Sequence, residues 1–144
     1  MVGVARESTA SEPKTITITG RSDGPKRTTI ETAETEFVVG DASPLEHLLG
    51  SLAACVNVIG HLVARERDMV IRDLDVRVEG DIDAARYKGG ATDSRAGFGS
   101  IRAHVTVDAD ADALADWMAE VEERCPVADN LDAGTDVHVE VERA

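Results

Sequence analysis

The sequence predicts an α+β fold in which two main helices cover largely antiparallel sheets. Three observations support this class: β-branched or alternating stretches, two helical stretches with apolar faces, and the order strands, helix, strands, helix, strand. A length of 144 residues fits one domain. We expect residues 1–13 to be a flexible N-terminus and residues 14–144 to form a single domain.

The first predicted elements are short strands. Residues 15–19 read TITIT, are β-branched throughout and predict a strand. Residues 20–26 are rich in turn-forming types and predict a hairpin connection. Residues 27–32 and 35–39 predict two further strands, and a loop should follow at 40–43.

A long helix is predicted over residues 43–67. Ser43 suits the N-cap, Pro44 suits the first helical position, and Glu46 completes a capping box with Ser43. The helix should end near Arg67, because basic residues in its last turn complement the helix dipole.

The second half of the chain alternates strands with one more helix. Residues 73–82 and 100–109 alternate apolar with polar side chains and predict half-buried strands. Between them, residues 84–100 are glycine-rich without either periodicity, which predicts a long mobile loop. Residues 110–124 predict an amphipathic helix, and residues 135–142 predict a final strand.

Charge limits the classes of partner. The chain has 28 acidic and 15 basic residues and a formal net charge of −13. Phosphate groups would be repelled, so nucleic acid and anionic membrane surfaces are not expected as partners. The acids alternate with apolar residues, which indicates solvated faces of folded elements. We expect the charge to reflect adaptation to high internal salt, with an ordinary acidic protein as the alternative. Thermal stability measured across salt concentrations distinguishes the two.

Targeting signals are not evident, and a cytoplasmic location is expected. The first residues contain no apolar core of a signal peptide. No apolar run is expected to reach transmembrane length, because Glu46, His47, Asn57 and His61 interrupt the long helix. In a reducing compartment, two cysteines are reactive thiols or buried apolar residues rather than a permanent disulfide.

Each cysteine can be explained by packing or by chemistry. Cys55 lies in an apolar helix, where burial would make its thiol inert unless a cation or hydrogen-bond donor stabilises the thiolate. Cys125 lies at a helix C-terminus before Pro126, which suits a resolving thiol better than an attacking one. Together they permit a pair in which one thiolate attacks a peroxide and the second resolves the sulfenic acid.

Two motifs resemble those of the OsmC/Ohr family, the osmotically inducible and organic hydroperoxide resistance proteins. SPLEHLLGSLAACVNVIGH, residues 43–61, resembles the first cysteine helix of the family, and VEERCPVADNL, residues 121–131, resembles the second cysteine motif. The resemblance spans residues 15–141. It implies an intertwined α+β homodimer with active sites at the interface.

The resemblance also implies an activity. Members reduce hydroperoxides, preferably organic ones, with two cysteines and without a metal, haem or other cofactor. By motif, Cys55 matches the peroxidatic cysteine and Cys125 the resolving one. Small dithiols or lipoyl-bearing proteins are implied as reductants. The alternative is a diverged structural or small-molecule-binding member of the same fold, with both cysteines as packing residues.

The resemblance implies that a glutamate and an arginine activate the first cysteine, Cys55. The Ohr branch has glutamate directly after the proline, whereas here Leu45 follows Pro44 and Glu46 comes one position later. Nine helical residues place Glu46 about 13.5 Å from Cys55 and about half a turn away, so Glu46 could serve only a partner subunit. The candidates for the arginine that would activate Cys55 are Arg21, Arg27 and Arg95. For each, the alternative is a solvated guanidinium on the surface.

Histidines give no expected metal site. His47 and His61 flank Cys55 on the long helix, and His61 lies about 240° around the helix from it. His104 and His138 fall on the polar faces of their strands. No spacing typical of a Cys/His zinc site links these residues to either cysteine.

Overall fold

The computed structural model describes residues 11–110 and 112–144. They belong to two compact units, of which the first ends at Pro44 and the second is Leu45–Ala144. Most of the segment predicted to be flexible, residues 1–13, lies outside the described residues.

The N-terminal unit contains a three-stranded antiparallel sheet in the order β1 (Thr19–Ser22), β2 (Thr28–Glu31) and β3 (Glu36–Val39). The second and third strands confirm the sequence prediction. The strand predicted over residues 15–19 is wrong except at its last residue, because β1 begins at Thr19 and extends into the predicted turn. The register explains the shift, since β2 pairs with residues 19–22 and leaves residues 15–18 unpaired.

The long predicted helix is present as α1, Pro44–Glu66, with 23 residues. It begins at Pro44, whose ring fixes a helical φ. Proline has no backbone N–H, and nothing is lost by this at the first helical position, because an N–H there would have no acceptor within the helix. The helix ends one residue before Arg67, and Asp68 then adopts a left-handed φ of 54°. The capping pattern around Ser43 and Pro44 therefore located the N-terminus of the helix.

By length and composition, α1 could cross a membrane. The expectation that no apolar run reaches transmembrane length is therefore wrong by this measure. The four polar residues in the helix do not lower its mean hydropathy enough. A helix packed in a protein core passes the same test. One face of α1 is buried in this way, through Leu52, Val56, Val63 and Ala64.

The C-terminal unit contains a two-stranded antiparallel sheet of β4 (Ile71–Ile82) and β5 (Phe98–Ala109). Val76 pairs with Val105 at its centre, and the predicted alternation of half-buried and exposed side chains is confirmed along β4. Ala103 pairs with Val78 but is exposed, although it was predicted to point inward. It lies on the wall of a cavity, together with Ile101 and Val105, which are half-buried.

Two helices follow the sheet. The amphipathic helix predicted over residues 110–124 is α2, Leu114–Arg124. Pro126 ends it as expected, but the same proline begins a further helix, α3 (Pro126–Ala133), which was not predicted. Over the described residues, the fold is therefore α+β with antiparallel sheets and three helices.

The predicted final strand is wrong for the described structure. Residues 135–142 carry no strand or helix. The three valines predicted to point inward are Val137, Val139 and Val141, and they are 80, 89 and 96% exposed. A strand needs a neighbouring strand for its backbone hydrogen bonds, and β4 and β5 pair only with each other among the described strands.

The core of the C-terminal unit lies between α1, α2 and the sheet. Its buried residues are Leu52, Val56, Val63, Ala64, Trp117, Val121 and Cys125, and half-buried side chains of β4 and β5 pack against them. The indole N–H of Trp117 donates to the Gly60 carbonyl at 2.9 Å. A Cβ at Gly60 would lie 3.1 Å from the indole ring, so this glycine allows the two helices to approach closely.

Candidate functional site

The two cysteines lie in contact in the C-terminal unit. The Sγ atoms of Cys55 and Cys125 are 2.9 Å apart, although 70 positions separate them in the sequence. Both are free thiols; Cys55 is half-buried and Cys125 is 1% exposed. The structure thus brings together the two residues that the motifs singled out, at a distance from which a disulfide needs only a small movement.

Helix packing positions this pair. Cys55 lies on α1 directly before Val56, which is buried in the core of the C-terminal unit. Cys125 lies between α2 and α3 with φ −80° and ψ 110°, an extended conformation that turns the chain from one helix into the next. Its carbonyl accepts the amide of Asp129 at 3.0 Å, which starts the hydrogen bonding of α3. The thiol of Cys125 is therefore held at a junction of two helices.

Ion pairs fix the end of α2 against α1. The Arg124 guanidinium contacts Glu66 at 2.7 Å and Glu120 at 2.6 Å, and Arg67 contacts the same Glu120 at 2.6 Å. Partly exposed pairs of this kind stabilise only modestly. They nevertheless join the C-terminal ends of α1 and α2 immediately before Cys125, which helps to keep the two thiols opposed.

The environment of Cys55 raises the pKa of its thiol. Burial is the largest cause, and the contact with Cys125 raises the pKa further. The backbone N–H of Val127, in the first turn of α3, forms a hydrogen bond with Cys55 that acts in the opposite direction. The Val127 N–H therefore favours the thiolate form of Cys55, whereas burial and the contact with Cys125 favour the protonated thiol.

Alkylation of Cys55 by iodoacetamide should follow this balance. The rate is expected to rise with pH through a pKa above that of an ordinary cysteine, because only the thiolate reacts. In C125A the midpoint of the curve of alkylation rate against pH should shift to lower pH, because one of the groups that raise the pKa of Cys55 is removed. Mass spectrometry of the Cys55 peptide measures the rate, and a midpoint that stays in place or rises in C125A would contradict this assignment.

Within the C-terminal unit, neither Glu46 nor Arg95 is among the groups that shift the pKa of Cys55. Glu46 is exposed near the start of α1, nine positions before Cys55 on an uninterrupted helix. Arg21 and Arg27 belong to the N-terminal unit. Arg95 lines a cavity in the C-terminal unit, and no arginine is among the described groups that shift the pKa of Cys55. Among the described residues, no three histidine, cysteine, aspartate or glutamate side chains are grouped so that they could hold a metal ion.

A cavity of about 880 Å³ adjoins the buried thiol. Cys125 lies on its wall with apolar residues of α1, α2 and β5, including Val56, Trp117 and Val105. Acidic side chains of α2 and α3, among them Glu122, also line it. A cavity of this size and composition can hold a small apolar molecule beside the thiol pair.

The Val127 amide is the group that sequence reasoning missed. The signal was present: Pro126 suits a first helical position, and Val127, Ala128 and Leu131 recur at helical spacing before Gly134. Treating the proline only as a terminator concealed the helix that presents this donor to Cys55.

Comparison with known proteins gives one family. The family model described as OsmC-like protein matches residues 39–140. No curated protein matches the chain.

Solved structures share the fold. An OsmC-like protein from Mycoplasma pneumoniae superposes with a TM-score of 0.73 at 21% identity, over 85% of this chain and 91% of the other. Two organic hydroperoxide resistance proteins also match at 17% identity. The one from Legionella pneumophila has a TM-score of 0.61 over 88 and 95% of the two chains. The one from Elizabethkingia anophelis has a TM-score of 0.60 over 87 and 93%.

Proposed function

Since the chain belongs to the OsmC-like family, we propose that it reduces organic hydroperoxides with Cys55 and Cys125 as a redox pair. The observation that carries the proposal is the 2.9 Å distance between the two Sγ atoms. Similar solved structures that are named hydroperoxide resistance proteins support the same reaction class. The apolar cavity beside Cys125 favours an apolar peroxide over hydrogen peroxide.

The proposed reaction has two chemical steps. The Cys55 thiolate attacks the distal oxygen of the hydroperoxide, the O–O bond breaks, and the alkoxide takes up a proton and leaves as an alcohol. Cys55 is then a sulfenic acid. Cys125 attacks its sulfur, its proton leaves with the hydroxyl as water, and a disulfide forms. The peroxide gains two electrons, and the two thiols lose them.

A dithiol reductant would close the cycle. One of its thiolates attacks the Cys55–Cys125 disulfide, and its second thiol displaces the mixed disulfide and restores both cysteines. We propose a small dithiol or a lipoyl-bearing protein in this role, because both form stable intramolecular disulfides.

A second candidate function is a binding protein of the same fold with unreactive cysteines. The raised pKa of Cys55 favours it, as does the finding that no guanidinium bonds to Cys55 in the described part of the C-terminal unit. The Val127 amide and the sulfur contact favour the enzyme instead, because neither is needed to fill a core.

We also propose that the protein is a homodimer. Ile16 and Ile18 are 81 and 58% exposed, and the valines of residues 137–141 are 80–96% exposed, although both segments have strand-like sequences. A second copy would supply the missing pairing. Glu46 could then act only on Cys55 of that copy. Sedimentation at micromolar concentration should give twice the chain mass of 15.3 kDa, and the single-chain mass would contradict dimerisation.

Counting thiols during titration with cumene hydroperoxide tests the proposed activity. One equivalent should remove both thiols of the reduced protein, and C55A should lose none. Thiols that remain unchanged in the wild-type protein would contradict the proposed peroxidase activity. The same titration with hydrogen peroxide should need a larger excess, because it gains nothing from an apolar cavity.

A further inference from the structure

A second cavity of about 490 Å³ lies on the C-terminal unit, and we call it the Arg95 cavity. Its apolar wall comes from α1, β5 and α3, through Leu45, Leu48, Leu52, Phe98, Ile101 and Leu131. Among the described residues on its lining, Arg95 is the one with a basic side chain. The cavity thus combines an apolar body with one positive group, which is the pattern of a site for an amphipathic anion.

The apolar wall leads toward the thiol pair. Leu45, Leu48, Leu52 and Cys55 fall within an arc of about 80° on α1, with about 15 Å between the first and the last. Leu52 lines both the Arg95 cavity and the cavity beside Cys125. A molecule lying along this face of α1 would therefore extend toward Cys55.

The charge of Arg95 is available to a ligand. Its side chain is exposed and forms no salt bridge with any residue that the structure describes, whereas five other arginines of the C-terminal unit pair with carboxylates. Asp132 also lines the cavity without bonding to Arg95. The nearby negative charge disfavours a dianion such as phosphate and leaves a single carboxylate as the matching group.

The loop before Arg95 is held by its own hydrogen bonds. The Arg86 guanidinium donates to the carbonyl of Ser94 at 2.6 Å and to that of Thr92 at 2.7 Å. The Ser94 hydroxyl donates to Asp83 at 2.9 Å. These bonds hold the backbone immediately before Arg95, so the side chain of Arg95 starts from a defined point at the edge of the cavity.

Phe98 depends on a glycine across the sheet. A Cβ at Gly80 would lie 2.6 Å from the Phe98 ring, so only glycine allows the ring to occupy its place on the cavity wall. The Phe98 side of the wall is thus positioned before a ligand arrives, which reduces the conformational entropy lost on binding.

We propose that the Arg95 cavity binds an amphipathic carboxylate, with its apolar chain against α1 and Phe98 and its carboxylate on Arg95. Arg95 would then select hydroperoxides that carry a carboxylate over neutral ones. The selection among hydroperoxides rests on the proposed function; the binding of a carboxylate does not.

Calorimetry with octanoate and octanol tests the binding directly. The wild-type protein should bind octanoate about tenfold more tightly than octanol, because only octanoate can form charge-assisted hydrogen bonds with Arg95. R95Q should lose this preference through weaker octanoate binding, and R95K should retain most of it. R65Q is the matched control, since Arg65 is also exposed but does not line the cavity.

Three results would overturn the site: equal affinities in the wild-type protein, unchanged octanoate binding in R95Q, or an equal loss in R65Q. No peroxide is present in these measurements, so they stand or fall separately from the peroxidase activity. With hydroperoxides, R95Q should raise KM about tenfold for a carboxylate substrate and not for its methyl ester, with kcat unchanged. A shift in the pH dependence of Cys55 alkylation in R95Q would contradict an anchoring role, because it would make Arg95 a group that activates the thiol.

Discussion

Replacing Cys55 with alanine should lower kcat/KM for cumene hydroperoxide by about a thousandfold or more, to the level of the uncatalysed reaction with dithiol. The reason is that Cys55 is the sulfur that forms the new bond to oxygen, whereas Cys125 acts in the proposed reaction only after that bond has formed. Peroxide loss monitored with a ferrous dye, at a fixed dithiothreitol concentration, measures the effect.

C125A is the matched variant for this prediction. It should still consume one equivalent of peroxide quickly and should accumulate a sulfenic acid on Cys55, which dimedone traps. Both variants remove a small side chain from the same contact, so similar folding is expected. If C55A kept more than about a tenth of the wild-type rate, Cys55 would not be the attacking residue.

Replacing Trp117 with alanine should reduce the free energy of unfolding by about 3–5 kcal/mol. Trp117 is 2% exposed, joins α2 to α1, and packs in the cluster that contains Cys125. Its loss leaves a void where the indole ring meets Gly60, and it also leaves the Gly60 carbonyl without its donor. Urea denaturation followed by circular dichroism measures the change.

W117F separates packing from hydrogen bonding. It retains most of the ring and loses the indole N–H, so the cost of the lost hydrogen bond should be about 1 kcal/mol, with a further cost for the smaller ring. A loss below about 1 kcal/mol in W117A would mean that α1 and α2 do not depend on this contact.

The sequence predicted the helices and strands that have a clear local signal, such as a capping pattern or an alternation of apolar and polar residues. The Ser43, Pro44 and Glu46 pattern located the start of α1, and alternation in residues 73–82 identified β4. The cysteines were singled out by motif, and the 2.9 Å contact brings both of them together. Periodicity alone could not have predicted that contact, because it depends on how α1 packs against the junction of α2 and α3.

The errors arose where one residue has two roles or where a partner is needed. Pro126 ends one helix and begins another, and only its first role was predicted. Residues 15–18 and 135–142 have the composition of strands, but pairing is a property of the assembled sheet and cannot be predicted from alternation. The Val127 hydrogen bond to Cys55 was missed for the same reason as α3.

The central claim is that Cys55 and Cys125 react as a pair, and peptide mass spectrometry after one equivalent of cumene hydroperoxide tests it most directly. The account predicts a peptide pair linked by a Cys55–Cys125 disulfide, formed within one chain and absent in both single alanine variants. Two unmodified thiols, or oxidised Cys55 with Cys125 still free in the wild-type protein, would contradict it.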